Sequence, residues 1–420
     1  MLKVGIIGTG AISNLNVLGY IHSQDSELVA VADTNVKNAG EKLERWGLRC
    51  SIKIYNDYKQ MVDKEDLDIV EILTPHHLHY PMTVYCAKAG IPGISVQKPM
   101  AHTIKDCNIV IHVCKEENVK LKLFENFRFY PTHLKAKKLL EQGIIGEPLN
   151  FRIITITTRG PSMHRDLKEL AWRQKADTCG GGPMIYDDGI HKFSMALWLM
   201  GEERVDKLYG WIDYHTGILD MPCTIFWKYP SRNSDDPPKF GSLEFKSSVN
   251  LYYPSNYYDC DEFIEISGTK GMMWLNQCTS GGNFLSKAPE FPPIAVYVDE
   301  KVEPYGEDLP RDWRHSFINS TEHFIEVIKS GKGEPIYDGN MGRNLSVFAK
   351  MPYISNQQNR TVNWEEMTQE NEDKGFCAVE DPKNLNPKGY TEYFMRQKAD
   401  LKKGINQGLK NTTFKYQYET

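Results

Sequence analysis

The chain has 420 residues, of which 40% are hydrophobic and 25% charged, and its formal net charge is −5. A chain of this length usually exceeds what one hydrophobic core supports, so two domains are expected. The mild acidic excess disfavours nucleic acid as a partner, and no run approaches the ~18 uncharged apolar residues of a membrane span. Nine scattered cysteines without C-x-x-C pairs indicate neither a disulfide framework nor a zinc site. Since the first residues show no secretory pattern, a cytoplasmic location is expected.

The first part of the chain alternates short β-rich runs with helix-length amphipathic stretches. Apolar runs rich in Val, Ile and Leu lie at residues 4–7, 28–32, 69–73, 94–96 and 121–124. Compact runs of this kind are typical of parallel strands buried on both faces. Helical candidates between them lie at residues 35–46, 80–89 and 104–117. The alternation predicts βαβ units and a doubly wound parallel sheet, so the fold class is α/β.

Beyond residue 124 the pattern changes. Helical stretches at 132–142 and 188–200 enclose a strand-like run at 149–158 and a glycine-rich turn at 180–182. Aromatic, alternating runs follow at 206–214, 224–228, 241–253 and 262–274. We predict a C-terminal α+β domain at residues 125–374, with a large, mostly antiparallel or mixed sheet and helices on one face. The polar residues 375–420 form a predicted C-terminal extension with a solvated surface.

A glycine-containing turn, Gly8-Thr9-Gly10-Ala11-Ile12, directly follows the first apolar run. Gly8 permits a tight turn, and the missing side chain at Gly10 lets the backbone approach a pyrophosphate at a helix N-terminus. The second run ends at Asp33, whose carboxylate suits a ribose hydroxyl and repels a 2′-phosphate. The pattern predicts a Rossmann domain at residues 1–124 that binds NAD, with NADP less favoured. The alternative is a pair of turn glycines with a solvated aspartate.

Six further motifs follow in chain order. They are Thr74-Pro75 with His79, Gly90 with Gln97-Lys98-Pro99, Asn126-Phe127-Arg128, Gly143 with Gly146, Trp172-Arg173, and Gly180-Gly181-Gly182 with Asp187 and His191. Over most of residues 1–200 these resemble, in order and spacing, the motifs of the Gfo/Idh/MocA (glucose–fructose oxidoreductase / inositol dehydrogenase) family. The chain departs from the family pattern in three places. Gln97 stands where the family usually has a glutamate. The spacing from the glycine run to the aspartate is one residue longer than usual, and two aspartates, Asp187 and Asp188, stand in tandem. Ser194 stands where the family often has a second aspartate.

The resemblance implies an oxidoreductase that uses NAD to oxidise a secondary hydroxyl of a sugar, glycoside or cyclitol. It also implies a homo-oligomer, dimer or tetramer, that pairs through the exposed face of the second sheet, where aromatic residues at 251–253 and 257–258 are candidates. The expected cofactor contacts are Gly8, Gly10, Ala11, Ile12, Asp33, Thr74, His79, Gln97, Lys98 and Asn126.

The expected chemistry needs a proton acceptor beside the hydride acceptor. Lys98 follows a predicted strand at the carboxyl edge of the sheet, and Pro99 restricts it to an extended conformation, which the resemblance suggests is cis. Asp187 and His191 are four residues apart on a helical segment and share a face. We expect His191 to accept the hydroxyl proton, Lys98 to stabilise the developing oxyanion and Asp187 to support the pair. The simpler interpretations are that Lys98 is a surface lysine, that Asp187 caps the helix and that His191 is a core histidine.

Other side chains are candidates for lining a substrate cleft. Arg128, Tyr130, Trp172 and Arg173 suit polyhydroxylated ligands, although the aromatic pair could equally lie in the core. Asp188 either binds a substrate hydroxyl or caps the helix. The histidines at 76, 77 and 79 lie too close along one loop to converge on an ion, so no metal is expected.

Two further functions remain open at this point. Some members of the family use NAD for a transient oxidation, so that the net reaction is an elimination or glycosidic cleavage without NADH release. The chain could also be a cofactor-binding regulatory protein without catalysis. Retention of Lys98, Asp187 and His191 together disfavours that last function, because a binder needs the phosphate loop but no proton acceptor.

Overall fold

The computed structural model describes residues 1–48, 52–159, 171–213, 220–231, 233–252, 260–276 and 292–367. The predicted C-terminal extension at 375–420 and the aromatic pair at 257–258 lie outside these residues. None of the helices in the described part of the chain is long and apolar enough to cross a membrane.

The first domain is a parallel sheet with helices on both faces. Its strands are β1 Leu2–Ile7, β2 Ser26–Ala32, β3 Lys53–Tyr55, β4 Ile69–Ile72, β5 Gly93–Gln97 and β6 Lys120–Phe124. Their spatial order, β3-β2-β1-β4-β5-β6, is that of a Rossmann sheet and confirms the prediction. The helices are Ser13–His22, Val36–Arg45, Tyr58–Lys64, His76–Lys88 and Ile104–Glu116. The sequence did not reveal β3, because three residues with a lysine among them make no apolar run.

The second domain is built on a nine-stranded mixed sheet. Its strands are β7 Pro148–Arg159, β8 Lys207–Ile212, β9 Cys223–Lys228, β10 Phe240–Tyr252, β11 Cys260–Gly268, β12 Gly271–Leu275, β13 Ile294–Val298, β14 Lys301–Tyr305 and β15 Val362–Asn363. Only β7 and β10 pair in parallel; the other described pairs are antiparallel, as predicted. The predicted single run at 262–274 is wrong in one respect, since it divides at a tight turn into β11 and β12.

The helices that follow β6 complete the hydrophobic cores of the two domains. They are Pro131–Glu141, Ala176–Cys179, Gly189–Met200, Arg314–Ser330 and Gly339–Gln358. The helix Arg314–Ser330 packs on the first domain, and its Phe324 and Ile325 lie in the same apolar cluster as strand residues of β1 and β2. At this contact a Cβ atom on Gly19 would lie only 2.3 Å from Thr321 Cβ, so the two helices approach closely.

The helix Gly189–Met200, hereafter the site helix, begins where an unusual turn ends. A π-helix at Pro183–Asp188 precedes it, and Gly201 ends it in the left-handed conformation at φ 71°. Its residues are nearly all buried, and the helix packs on β7 and on the helix Gly339–Gln358. Because π-helical turns frequently occur at functional sites, the start of this helix is a candidate functional position.

Candidate active site

The glycine turn between β1 and the helix Ser13–His22 has room for a phosphate. Gly8 adopts φ +96°, and a Cβ atom there would lie 2.7 Å from the carbonyl oxygen of Leu73. A Cβ atom on Gly10, in contrast, would meet nothing within 4 Å. Gly8 is therefore required by the fold, whereas Gly10 leaves open space in front of the helix N-terminus.

Asp33 ties the end of β2 to the same turn. Its Oδ2 accepts hydrogen bonds from the backbone nitrogen and the hydroxyl of Thr9, both at 2.7 Å, and its Oδ1 accepts one from Asn35 N at 2.8 Å. The carboxylate is therefore fixed beside the turn that faces the phosphates. Oδ2 already accepts two hydrogen bonds, whereas Oδ1 keeps acceptor capacity for a ribose hydroxyl, which fits the predicted role.

The replacement Gly10→Val tests the open space in the turn. The added side chain should fill the space that a pyrophosphate would enter, so the Kd for NAD should rise at least about tenfold, a change of roughly 1.4 kcal/mol. Gly40→Ala in the helix Val36–Arg45 is the matched control, since its Cβ atom would lie 3.9 Å from Ile54 Cδ1 in ordinary contact. Calorimetric titration with NAD distinguishes the two variants. Unchanged NAD affinity in Gly10→Val, with the fold intact, would contradict the assignment.

Lys98 and Asp187 form an ion pair at the carboxyl edge of the parallel sheet. Lys98 follows β5 directly, and its bond to Pro99 is cis, as the resemblance suggested. The Lys98 Nζ atom donates to Asp187 Oδ1 at 2.5 Å and to the Asp187 carbonyl oxygen at 2.8 Å. The side chain of Lys98 is 15% exposed and that of Asp187 is 8% exposed. Both side chains are therefore largely buried, that of Asp187 more than that of Lys98.

Two other side chains hold the Asp187 carboxylate. Arg173 Nε donates to Asp187 Oδ2 at 2.5 Å, and His76 Nε2 lies 3.5 Å from Oδ1. Burial alone would raise the pKa of Asp187, but Lys98, Arg173 and His76 outweigh it and hold that pKa well below its usual range. Asp187 is therefore ionised at neutral pH. The sequence had predicted Arg173 as a cleft residue, whereas His76 was considered only as a metal ligand.

His191 lies on the first turn of the site helix, and its partner is a glutamate that the sequence analysis missed. Its Nδ1 is 2.6 Å from Glu125 Oε2, and its ring stacks on Phe127 with centroids 4.1 Å apart. Glu125 is fully buried, and its Oε1 accepts a hydrogen bond from Phe127 N at 2.8 Å. With Nδ1–H donating to Glu125, the neutral ring keeps its lone pair at Nε2.

The predicted acid–base group therefore divides into two pairs. Asp187 contacts Lys98, while the carboxylate that contacts His191 is Glu125. Asp187 and His191 do share one stretch of helix, as their spacing predicted. The missed signal was the position of Glu125, an acid directly after β6 at the same sheet edge as Lys98.

Several predicted cofactor residues lie around the loop that carries Lys98. Gln97 Oε1 accepts a hydrogen bond from Lys98 N at 2.9 Å. His79 is buried between backbone carbonyls, with Nδ1 2.7 Å from Pro99 O and Nε2 2.7 Å from Thr74 O, and burial lowers its pKa to about 3. A neutral ring carries a single N–H, so His79 donates a hydrogen bond to only one of these two carbonyls. Asn126 Nδ2 donates to Ser316 Oγ at 2.8 Å.

The predicted substrate residues occupy different environments. Tyr130 is fully buried in the core, and its hydroxyl donates to the carbonyl of Arg311 at 3.0 Å. Trp172 packs edge-on against His76, with ring centroids 4.5 Å apart, beside Arg173. The Arg128 guanidinium lies 5.1 Å from the Trp198 ring centroid. For Tyr130, then, the structure supports the core alternative.

Two family models match the chain and together span more than half of it. The model of the oxidoreductase family with an NAD-binding Rossmann fold matches residues 2–125. The model of the Gfo/Idh/MocA C-terminal domain matches residues 133–274. The chain belongs to the Gfo/Idh/MocA family. This confirms the resemblance, and with it an NAD-binding Rossmann domain in front of the family's C-terminal domain.

Individual relatives agree with the family assignment. Myo-inositol 2-dehydrogenase of Thermotoga maritima is 25% identical over 374 residues, which cover 87% of this chain and 99% of the relative. A 2,7-anhydro-N-acetylneuraminate hydratase of Mediterraneibacter gnavus is 23% identical over 351 residues, 78% of this chain and 86% of the relative. The structure of a levoglucosan dehydrogenase with NADH and levoglucosan has a TM-score of 0.69 at 21% identity, covering 86% of this chain and 99% of that one.

In this Gfo/Idh/MocA chain a buried aspartate supports the glycine run from behind. Asp220 accepts hydrogen bonds from the backbone nitrogens of Met184 and Ile185, both at 2.8 Å. The hydroxyl of Tyr353 donates to Asp220 Oδ2 at 2.5 Å and accepts from Gly182 N at 2.8 Å. A Cβ atom on Gly182 would lie 2.2 Å from the Asp220 carboxyl carbon. Asp220 thereby positions the π-helix that carries Asp187.

Proposed function

We propose that this protein is an NAD-dependent dehydrogenase that oxidises a secondary hydroxyl of a sugar, glycoside or cyclitol to a ketone. The observation that carries the proposal is the pairing of Lys98 with Asp187 and of His191 with Glu125 at the carboxyl edge of the parallel sheet, the edge at which the glycine turn also lies. The names of the curated relatives support a polyhydroxylated substrate. Asp33 supports NAD over NADP, because its carboxylate would repel a 2′-phosphate.

Each residue pair has a distinct role in the proposed reaction. NAD, when bound, supplies the hydride acceptor. His191 accepts the hydroxyl proton at Nε2, and Glu125 holds the opposite nitrogen and stabilises the imidazolium that results. Lys98 donates a hydrogen bond to the same substrate oxygen and stabilises its developing negative charge. Asp187 holds the Lys98 ammonium in place.

A redox-neutral reaction is the second candidate, and the hydratase among the relatives favours it. In that case the same residues would support a transient oxidation of the substrate by NAD, water would be added or removed next to the ketone, and the hydride would return from NADH to the product. No NADH accumulates over such a cycle. The two candidates share their site residues and differ in the fate of the hydride.

Reduced-nicotinamide absorbance separates these candidates. Purified protein with NAD or NADP is offered a panel of neutral sugars, glycosides and inositols. NADH formation with NAD supports the dehydrogenase. Product formation without NADH supports the redox-neutral reaction. Tight NAD binding with neither product nor NADH across the panel would contradict both.

We also propose that the protein is a homo-oligomer that pairs through the outer face of its large sheet. Trp211 and Phe226 on this face are 57% and 48% exposed, and their ring centroids lie 6.3 Å apart. Exposed aromatic pairs of this kind mark protein interfaces. Trp211→Lys should shift the light-scattering mass toward the monomer, whereas His112→Ala, at an exposed residue on a helix of the first domain, should not. A monomeric wild-type protein would contradict the proposal.

A further inference from the structure

A buried cluster of charges lies next to the proposed acid–base residues and is not used by them. Lys192 follows His191 on the site helix and is 1% exposed. Its Nζ atom lies 3.0 Å from Asp188 Oδ2 and 2.7 Å from Glu262 Oε1 on β11. Although burial lowers the pKa of Lys192, the two carboxylates outweigh this effect and raise it, so Lys192 is charged.

Glu262 has one oxygen that the fold leaves without a partner. The residue is 2% exposed, and its Oε1 accepts hydrogen bonds from Lys192 and, at 3.2 Å, from the hydroxyl of Thr155. Its Oε2 is buried and has no hydrogen-bond partner. Buried carboxylate oxygens without a donor are rare in native proteins and need a specific explanation. A donor supplied by a bound ligand is such an explanation, and side chains of the cluster must move for a ligand to reach the buried Oε2.

The position of the cluster connects it to the reacting end of the site. Lys192 Nζ lies 5.0 Å from the ring centroid of Phe127, the ring on which His191 stacks. Asp188 directly follows Asp187 and is 31% exposed at its side chain, which leaves it open to solvent on one side. The cluster therefore extends from the buried face of the large sheet at Glu262 to the start of the site helix.

The chemistry of the cluster selects its ligand. An ionised carboxylate can only accept hydrogen bonds, so the group opposite Glu262 Oε2 must donate one, as a hydroxyl does. A ligand carboxylate cannot donate. It would also face two carboxylates balanced by a single ammonium, an arrangement that repels negative charge in a desolvated site.

We propose that Glu262 and Asp188, held in place by Lys192, form a hydroxyl-binding subsite that selects neutral polyhydroxylated substrates over sugar acids. This inference rests on the proposed function and specifies its substrate class. Glu262 is a specificity-determining residue for the hydroxyls beyond the carbon that reacts. Lys192 is a positioning residue, because its ammonium contacts both carboxylates and holds them in place.

The variant Glu262→Gln tests the subsite with minimal change of shape. Initial rates of NADH formation are measured with myo-inositol, D-glucose and D-glucuronate as probes. For the neutral probe that reacts, KM should rise about tenfold while kcat stays within about threefold, as expected for loss of one charge-assisted hydrogen bond. Discrimination against D-glucuronate should fall in the same variant. Glu265→Gln is the matched control on β11, since Glu265 lies on the other sheet face, bonded to Trp274 Nε1.

Thermal stabilisation of the NAD-loaded protein by each probe separates this inference from the proposed function. Stabilisation by neutral probes that Glu262→Gln weakens, without NADH formation, supports the subsite and overturns the net dehydrogenase. NADH formation with D-glucuronate in preference to both neutral probes overturns the subsite and leaves the dehydrogenase intact. An unchanged KM and unchanged stabilisation in Glu262→Gln also overturn the subsite. No response to any probe overturns both proposals.

Discussion

Replacing His191 with alanine is expected to lower kcat by about 10²–10⁴-fold, the usual contribution of a placed acid–base group. The variant loses the Nε2 atom that accepts the substrate proton, while the glycine turn that binds NAD is untouched. NAD affinity by calorimetry should therefore stay within about twofold of the wild type. Pre-steady-state NADH formation measures the chemical step directly, apart from product release.

Two further variants make the test of His191 specific. Glu125→Gln keeps the shape of the residue but removes the charge that stabilises an imidazolium, so it should lower kcat less than His191→Ala and change the pH profile of kcat. His112→Ala is the control, because that histidine is 68% exposed on the helix Ile104–Glu116, away from the site. If His191→Ala turned over at the wild-type rate, another group would have to be the base.

Replacing Lys98 with methionine should lower kcat by about 10²–10³-fold, as removal of one oxyanion donor does in other enzymes. The methionine side chain is similar in length but carries no proton to donate. Lys98→Arg keeps a positive charge beside Asp187 but changes the geometry of the hydrogen-bond donors. Relative to Lys98→Met, it should restore stability more than it restores turnover. Wild-type turnover in Lys98→Met would exclude this role for the ammonium.

The same variant should change how stability depends on pH. The folded-state pKa of Asp187 lies below its unfolded value, with Lys98 the first of the groups that lower it. Its stabilisation is therefore present above about pH 4, the unfolded value, and is lost as pH falls through the folded value. Without Lys98 this contribution shrinks. Chemical unfolding should show the largest stability difference between Lys98→Met and the wild type at neutral pH and a smaller one in acid.

The features that the sequence predicted well depend on residues that lie close together in the chain. Apolar runs indicated most strands of the parallel sheet, and Gly8 correctly indicated a tight turn after β1, because backbone geometry restricts the residue types there. The spacing of Asp187 and His191 correctly placed both side chains at the start of one helical segment. Each of these inferences depends on neighbours within about one helical turn or at the end of a strand.

The features that the sequence did not reveal depend on contacts between distant segments. Glu125 and His191 are separated by 66 residues, and Asp220 and Tyr353 by 133. Nothing in the local pattern around Glu125 distinguishes a histidine partner from a capping or surface acid. Tyr130 was predicted as a candidate cleft residue but lies in the core. The local sequence around a tyrosine does not distinguish a buried position from a position in a cleft. Such pairings are determined by tertiary packing between segments that lie far apart in the chain.

The close packing of the helix Arg314–Ser330 on the first domain has a consequence for folding during synthesis. Lys122 on β6 is fully buried and donates to the carbonyl of Ser320, and Phe324 and Ile325 cover strands near the N-terminus. The N-terminal domain therefore lacks part of its core until residues 314–330 have left the ribosome. Nascent chains that end before residue 314 expose the apolar surface that this helix covers, and their Lys122 lacks its acceptor. Exposed apolar surface of this kind makes such chains clients for chaperones. The cofactor domain is finished only after most of the second domain has been made.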